Sequence, residues 1–140
     1  MDLRPIGFVR SEIKESVRRD WRKVVSEIVI DAKLTEALDG LEGFSHIIVL
    51  FWMHQASREE PLKTHPMGKK EIPLMGRFAT RAPNRPNLIG ETIVKLLKRQ
   101  GNILTVEGLD AIDGTPVIDI KPYIPEDLGE VKIPEWVPRH

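Results

Sequence analysis

The stretch His46-Ile47-Ile48-Val49-Leu50-Phe51-Trp52-Met53 is apolar at every position after His46, odd and even alike. A strand that is apolar on both faces is typical of the middle of a sheet, where both faces are covered. Ile47 to Met53 is the longest apolar run of the chain, and its seven residues are far fewer than the roughly 20 that cross a bilayer. The stretch therefore predicts a fully buried central strand and no membrane span.

Shorter runs on both sides of this stretch also have the composition of strands. They are rich in β-branched residues and are separated by turn-forming residues at close spacing. One of them, Leu88 to Lys98, fits either a long strand with a bulge or a helix, and its flanks favour the strand. Six or more short strands with little helix predict a mainly β fold, a small antiparallel β-barrel with short helices and long loops. The other predicted elements are a strand after Pro5, strands over Val24 to Ile30, Asn102 to Gly108 and Val117 to Ile120, and a short helix over Lys33 to Leu38.

The length and the cysteine count limit the class of protein. A chain of 140 residues can bury one core of its own, so we expect a single barrel domain over residues 1–123 followed by a proline-rich C-terminal tail over 124–140. The absence of cysteine excludes disulfides, thiolate zinc sites and a cysteine nucleophile. The start of the chain does not have the pattern of a signal peptide, so we expect a cytoplasmic protein with no membrane partner.

The charges are unevenly distributed although the formal net charge is zero. Residues 58 to 100 contain ten Lys/Arg and four Asp/Glu, whereas residues 101 to 140 contain three and eight. This segregation predicts a basic face that can meet phosphates. The alternative is that strands from both halves intermix in the fold, so that the asymmetry disappears.

The segment GRFATRAPNRPNLIG, Gly76 to Gly90, lies between two strand-like runs; we call it the arginine loop. It contains three arginines, two prolines and two asparagines. Prolines fix φ and asparagines close local turns, so the loop is expected to be stiff. Guanidinium groups held on a stiff loop suit a ligand with a phosphate or a carboxylate.

Polar residues gather at two further strand ends, His54-Gln55 after the central strand and the turn Asp110 to Pro116. Such positions on rigid elements are where sites are usually built. The chain has no HExxH, no Walker loop and no GxGxxG, and the spacing of its four histidines does not form a ligand set, so no metal is predicted. A hydrolase built on His54 would lack a partnered nucleophile.

Three motifs, taken together and in order, resemble the TrmO family of tRNA methyltransferases, also called TsaA-like or YaeB-like. They are Gly40 to His46 with His54-Gln55, the arginine loop, and Leu109 to Tyr123. The resemblance extends from Ile6 to about Tyr123. It implies a β-barrel methyltransferase that uses S-adenosylmethionine, works as a homodimer and methylates N6 of threonylcarbamoyl-adenosine beside the anticodon of tRNA.

The resemblance also implies which residues contact the cofactor. The family uses the His-Gln pair, the arginine of the Thr-Arg segment, the residue after the Pro-Asn-x-Ile-Gly turn and the Asp-Gly-Thr-Pro turn. It also uses a Pro-Arg-Gln-like segment, whose nearest match here is Val17 to Asp20. The corresponding residues are Arg18, Arg19, His54, Gln55, Arg81, Glu91, Asp113, Gly114, Thr115 and Pro116.

Neutral attack by this N6 is slow, because its lone pair is delocalised into the purine and the carbonyl group, so a base near the N–H would help. Our hypothesis is that Asp119, Asp113 or His54 takes the proton. Lys121 and Tyr123 would position the base or stabilise charge, so the predicted catalytic residues are Asp119, Lys121 and Tyr123. Structural roles for Asp113, Lys121 and Tyr123 stay open. Arg81 with Arg85 would hold a carboxylate or a phosphate.

The alternative function is a module that binds S-adenosylmethionine or RNA without turnover.

Overall fold

The computed structural model describes residues 1–15, 17 and 19–138. Within them, eight strands and several short 3-10 helices follow one another along the chain. The strands are β1 (Gly7–Arg10), β2 (Val25–Ile30), β3 (His46–Trp52), β4 (Lys63–Thr64), β5 (Met75–Gly76), β6 (Ile89–Gln100), β7 (Ile103–Glu107) and β8 (Pro116–Pro122). The 3-10 helices are Ala32–Leu38, Leu41–Gly43, Pro66–Gly68 and Arg77–Ala79.

Six of the strands form a closed barrel in the order β1-β2-β7-β6-β3-β8, and β8 pairs with β1 to close it. All of its strand pairs are antiparallel. The predicted antiparallel β-barrel is therefore confirmed. β6 is a strand of twelve residues with a register shift between Leu96 and Lys98, which confirms the reading of that segment as a long strand with a bulge.

The barrel interior is filled by alternate residues of each strand, because successive side chains of a strand point to opposite faces. In β3, Ile47, Val49 and Phe51 point inward and are buried. Ile48 and Leu50 point outward and are only half-buried. The prediction that this strand is buried on both faces is thus wrong, because a closed barrel covers only its inner face.

The connection between β7 and β8 does not join neighbouring strands. β7 pairs with β2 and β6, whereas β8 pairs with β1 and β3, so residues 108–115 cross one end of the barrel. Leu109 is fully buried and Ala111 and Ile112 are nearly so, which fixes this connection to the core. The predicted Asp113-Gly114 turn is present, with Gly114 at φ +82°, a conformation that favours glycine.

Between β3 and β6 the chain leaves the barrel and forms a small lobe, residues 56–88, that contains the two-stranded sheet β4-β5 and most of the arginine loop. Residues 123–138 contain bends and one turn but no strand or helix. Arg139 and His140, the last residues of the predicted tail, lie outside the described residues. In the part of the chain that is described, no helix has the length and apolarity of a membrane span.

Candidate functional site

A cleft of about 1070 Å³ opens where β3 ends and β6 begins. Its walls come from the end of β3, the start of β6, the arginine loop, the β7–β8 connection and the N-terminal loop before β2. The lining residues are Val17, Trp21, Phe51, Met53, His54, Gln55, Ala56, Thr80, Arg81, Pro83, Asn84, Arg85, Ile89, Gly90, Glu91, Thr92, Ile93, Asp110, Ala111, Ile112 and Thr115. The cleft therefore collects polar groups from distant parts of the sequence onto a rigid barrel end.

Two of the three arginines in the arginine loop hold the lobe together. Arg77 is only 7% exposed, and its guanidinium donates hydrogen bonds to the backbone carbonyls of Pro61 at 2.5 Å and Asn84 at 2.6 Å. Arg85 donates from Nη1 to the carbonyls of Thr80 and Ala82 at 2.9 and 3.0 Å. Both side chains fix the loop from within, as its expected stiffness requires.

The third arginine, Arg81, is exposed and lines the cleft. No hydrogen bond or ion pair of its guanidinium is found within the described residues. Its fork is therefore available to a bound group. A guanidinium can bind a carboxylate or a phosphate through two parallel hydrogen bonds, so Arg81 is a candidate anion-binding group of this cleft.

Two carboxylates face the same cleft. Glu91 lies on β6, and Asp110 begins the part of the β7–β8 connection that lines the cleft. The hydroxyl of Thr92 donates a short hydrogen bond to Asp110 Oδ1, which ties the connection to β6. Thr115, which is buried, donates its hydroxyl to the carbonyl of Ile112 at 2.7 Å and shapes the floor. The cleft thus offers two guanidinium groups, of which that of Arg85 is bonded to the loop, and two carboxylates beside apolar side chains.

The floor of the cleft also needs a glycine. A Cβ at Gly90 would lie 2.5 Å from Cε2 and 2.6 Å from Cζ of Phe51, a buried residue of β3 that also lines the cleft. A side chain at this position would push the aromatic ring out of the core. The glycine of the arginine loop that opens β6 is therefore explained by packing.

Asp113 lies outside the cleft lining and holds the N-terminal loop instead. Its carboxylate accepts hydrogen bonds from the backbone N–H of Ser11 at 2.9 Å and from Lys14 Nζ at 2.8 Å. The hydrogen bond from Lys14, and then the one from Ser11, hold the pKa of Asp113 below its usual value. These contacts support the structural reading of Asp113, since both carboxylate oxygens are engaged away from the cleft.

The lowered pKa of Asp113 gives a testable pH dependence. A carboxyl group with a lowered pKa in the folded state stabilises the protein above its unfolded pKa, about 3.9, and this contribution is lost as the pH falls through the folded value. We expect Asp113→Asn to be less stable than the wild type near neutral pH, with a difference that shrinks below about pH 4. Urea unfolding at a series of pH values measures this, and Lys14→Met should reproduce it; a difference that persists in acid would contradict it.

Five of the ten predicted cofactor contacts line the cleft: His54, Gln55, Arg81, Glu91 and Thr115. Three of the others, Asp113, Gly114 and Pro116, lie in the turn or at the start of β8, outside the lining. Arg19 also lies outside the lining, but its guanidinium stacks 5.5 Å from the ring centroid of Trp21, which is part of it. Arg18 lies outside the described residues.

The three predicted catalytic residues follow β8 away from the cleft. In the β3–β8 register, Asp119 is opposite Leu50 and Lys121 is opposite Ile48, and the two side chains form an ion pair at 3.3 Å. The backbone N–H of Tyr123 donates to the carbonyl of His46, at the start of β3. At about 3.3 Å per residue, Tyr123 lies roughly 25 Å along the barrel wall from Thr115. Their catalytic roles stay predictions, since a single chain does not bring them to the cleft.

Sequence reasoning missed several lining residues. Asp110 belongs to the predicted polar turn Asp110 to Pro116, but the resemblance implies cofactor contacts only from its second half, Asp113 to Pro116. Trp21 lies in a segment dense in charge, and an aromatic side chain among charges is a signal that could have identified it. No sequence pattern marks Ile112 or Asn84 as a lining residue. Ile112 reaches the cleft because the β7–β8 connection crosses the barrel end, and Asn84 reaches it because of how the lobe folds.

The fold and the cleft define a class of protein: a small closed β-barrel with a cleft at one end whose lining carries both signs of charge. The chain belongs to the family whose model is described as the tRNA-methyltransferase O N-terminal domain, which matches residues 16–127. The suspected TrmO-like membership is confirmed.

Individual relatives agree with this membership. The chain is 50% identical over 135 residues to a "Probable S-adenosyl-L-methionine-binding protein" of Methanothermobacter thermautotrophicus, covering 92% of this chain and 93% of that protein. It is 46% identical over 130 residues to an S-adenosyl-L-methionine-binding protein of Archaeoglobus fulgidus, covering 90% of this chain and 91% of that protein.

Solved structures are similar over nearly the whole of this chain. The crystal structure of TrmO from Pseudomonas aeruginosa superposes with a TM-score of 0.76 at 33% identity, and 99% of this chain covers 63% of that one. A second TrmO crystal structure gives a TM-score of 0.78 at 35% identity, and 99% of this chain covers 65% of that one. The chain therefore spans a little less than two thirds of these TrmO chains.

Proposed function

We propose that this chain binds S-adenosylmethionine in the cleft and transfers its methyl group to a tRNA nucleotide. The observation that carries the proposal is the meeting of Arg81, Glu91 and Asp110 in one cleft beside His54-Gln55. Membership of the TrmO family and the names of the two S-adenosyl-L-methionine-binding relatives support the same ligand.

The donor set fits this cofactor group by group. Its amino-acid part has a carboxylate, which suits the guanidinium of Arg81, and an ammonium, which suits the carboxylates of Glu91 and Asp110. Apolar and aromatic side chains such as Trp21 and Ile112 can cover an adenine ring. The bound cofactor supplies a methyl group on a sulfonium that is transferred by in-line displacement.

The finer substrate we propose is N6 of threonylcarbamoyl-adenosine next to the anticodon. Of the three candidate bases, His54 lines the cleft, whereas the carboxylates of Asp113 and Asp119 pair with Lys14 and Lys121. In this role His54 would accept the N6 proton, and the bound cofactor would supply the methyl group to N6. A histidine suits this role because an imidazole can accept a proton near neutral pH.

The chain is also proposed to work as a homodimer. Each of the six barrel strands is paired on both sides, so the barrel has no free strand edge that a second copy would cover. An apolar outer face that is continuous with the cleft supports the dimer instead. Ile93, which also lines the cleft, is 48% exposed and lies opposite Ile48, and Ile89, another lining residue, lies opposite Trp52. β8 borders this face, so a second copy seated there would place Asp119 and Lys121 at the interface, where they could serve the partner's cleft.

Mixing inactive His54→Gln chains with inactive Asp119→Ala chains tests this arrangement. If each cleft uses residues of both copies, the mixed dimers would regain activity.

The test of the proposed function uses labelled cofactor with unmodified and threonylcarbamoylated tRNA. Methyl transfer to the threonylcarbamoylated tRNA alone is the expected result. Equal labelling of both tRNAs would contradict the finer substrate. Calorimetric binding of the cofactor without any transfer would instead favour a binding module.

Replacement of Arg81 by alanine should weaken cofactor binding by about 10- to 150-fold, the loss expected for a hydrogen bond to a charged group. Binding of the decarboxylated form of the cofactor should change little, because that form lacks the group that Arg81 holds. Calorimetry with both ligands measures the difference. Lys98→Ala, an exposed cation on β6 outside the cleft lining, is the matched control. Equal losses for both ligands would contradict the assignment.

A further inference from the structure

The lobe carries an exposed aromatic side chain next to the cleft. Phe78 is 82% exposed and lies in the 3-10 helix Arg77–Ala79, just before the cleft residues Thr80 and Arg81. A phenylalanine exposed to this degree on a structured turn is a candidate contact for a partner, because covering its ring would remove apolar surface from water.

The turn that presents this ring is fixed on both sides. Arg77, immediately before it, is buried and bonded to two backbone carbonyls of the lobe. The N–H and the hydroxyl of Thr80, immediately after the helix, both donate to the carbonyl of Arg77 at 3.0 and 2.8 Å. The backbone that carries the ring is therefore held in place before binding, which lowers the entropic cost of contact.

The charge of the lobe indicates the chemistry of the partner. Residues 56–88 contain seven Lys/Arg and three Glu, an excess of four positive charges. Among the described residues, no carboxylate forms an ion pair with any of these cations. Lys63 on β4 and Lys69-Lys70 after the 3-10 helix Pro66–Gly68 are exposed. Arg77 is buried, but the five exposed cations of the lobe, Arg58, Lys63, Lys69, Lys70 and Arg81, still outnumber its three exposed glutamates, so this surface attracts a polyanion.

We infer that the lobe is a docking surface for single-stranded RNA, in which Phe78 stacks on an unpaired base and Lys63, Lys69 and Lys70 contact the backbone phosphates. An aromatic ring among cations is the pattern by which proteins bind unpaired nucleotides, because every base has a flat face for stacking. A duplex keeps its bases stacked inside and cannot use the ring. The inference rests on the proposed function and deepens it, since it states which part of a tRNA, an unpaired loop, lies beside the cleft.

Binding to a fluorescent RNA hairpin with a single-stranded loop, and to a blunt duplex of the same stem, tests the inference. Phe78→Ala should weaken binding of the hairpin by about 5- to 150-fold, the effect of losing one stacked base, and should leave the duplex unchanged. Neutralising Lys63, Lys69 and Lys70 to glutamine should lower the slope of log affinity against log salt by about 2 for the hairpin.

The controls are matched in kind and exposure. Leu128→Ala removes another strongly exposed apolar side chain, 73% exposed and outside the lobe. Replacing Lys33, Lys98 and Lys132 by glutamine removes three exposed lysines outside the lobe. Both controls should bind RNA as the wild type does, and all variants should keep the wild-type melting temperature.

Three results would overturn the inference: equal loss on hairpin and duplex, no loss in either lobe variant, or a Phe78→Ala protein with a changed sedimentation coefficient. The last would assign the ring to contact between copies of the chain. Cofactor affinity is measured separately by calorimetry. A wild type that binds the hairpin through Phe78 but not the cofactor would contradict the proposed function and leave the RNA surface standing.

Discussion

Replacement of Arg77 by alanine is expected to destabilise the lobe by about 3 kcal/mol, because it removes two hydrogen bonds from a charged group and leaves two carbonyl groups without their partner. These carbonyls, of Pro61 and Asn84, lie 23 residues apart in the sequence of the lobe. Urea unfolding measures the global effect, and amide hydrogen exchange over residues 61–85 measures local opening. Cofactor binding should weaken as well, since Asn84 and Arg81 line the cleft.

Arg81→Ala is the matched control, an exposed arginine of the same loop. Arg81→Ala should weaken cofactor binding and leave the free energy of unfolding unchanged. Loss of a purely structural residue would instead lower the free energy of unfolding. Arg77→Lys keeps the charge but cannot bridge both carbonyls with its single ammonium as the planar fork does, so an intermediate loss is expected. Wild-type exchange rates in Arg77→Ala would show that the lobe does not depend on this side chain.

Replacement of His54 by glutamine is expected to lower kcat for methyl transfer by about 100- to 10,000-fold, the range for removing a general base. Glutamine keeps a polar side chain of similar reach, so cofactor affinity should change much less than kcat. The fall in rate on the acid side of the pH profile, where a histidine base becomes protonated, should disappear in the variant. Single-turnover methylation across pH measures both effects.

His46→Gln provides the control for this experiment. His46 lies at the other end of β3, outside the cleft lining, with its ring nitrogen Nδ1 2.8 Å from Ser45 Oγ. Its replacement should leave both kcat and the pH profile unchanged. An unaltered acid limb in His54→Gln would transfer the role of proton acceptor to another group, and Asp110 and Glu91 are the carboxylates of the cleft that would then be tested.

Local patterns in the sequence were enough to predict the strands, because composition and turn residues act over a few neighbouring positions. The run Ile47 to Met53 predicts β3 correctly, yet it could not reveal that only one face of the strand would be covered. The sequence predicts a stiff arginine loop, and Arg77 and Arg85 bond to backbone carbonyls of the lobe, but the sequence alone does not separate a buried arginine from an exposed one. That distinction depends on carbonyl groups at Pro61 and Asn84, which fold next to Arg77.

The sequence by itself determined the mainly β class, the family and the residues His54, Gln55, Arg81 and Glu91 that line the cleft, since all of these depend on short motifs. Only the tertiary structure decided that Asp110 faces the cleft and Asp113 does not. The two carboxylates are three residues apart in one turn, and their directions are set by contacts far away in the chain: Thr92 on β6 for the first, and Ser11 and Lys14 for the second. Barrel closure brings these partners together, and no local pattern encodes it.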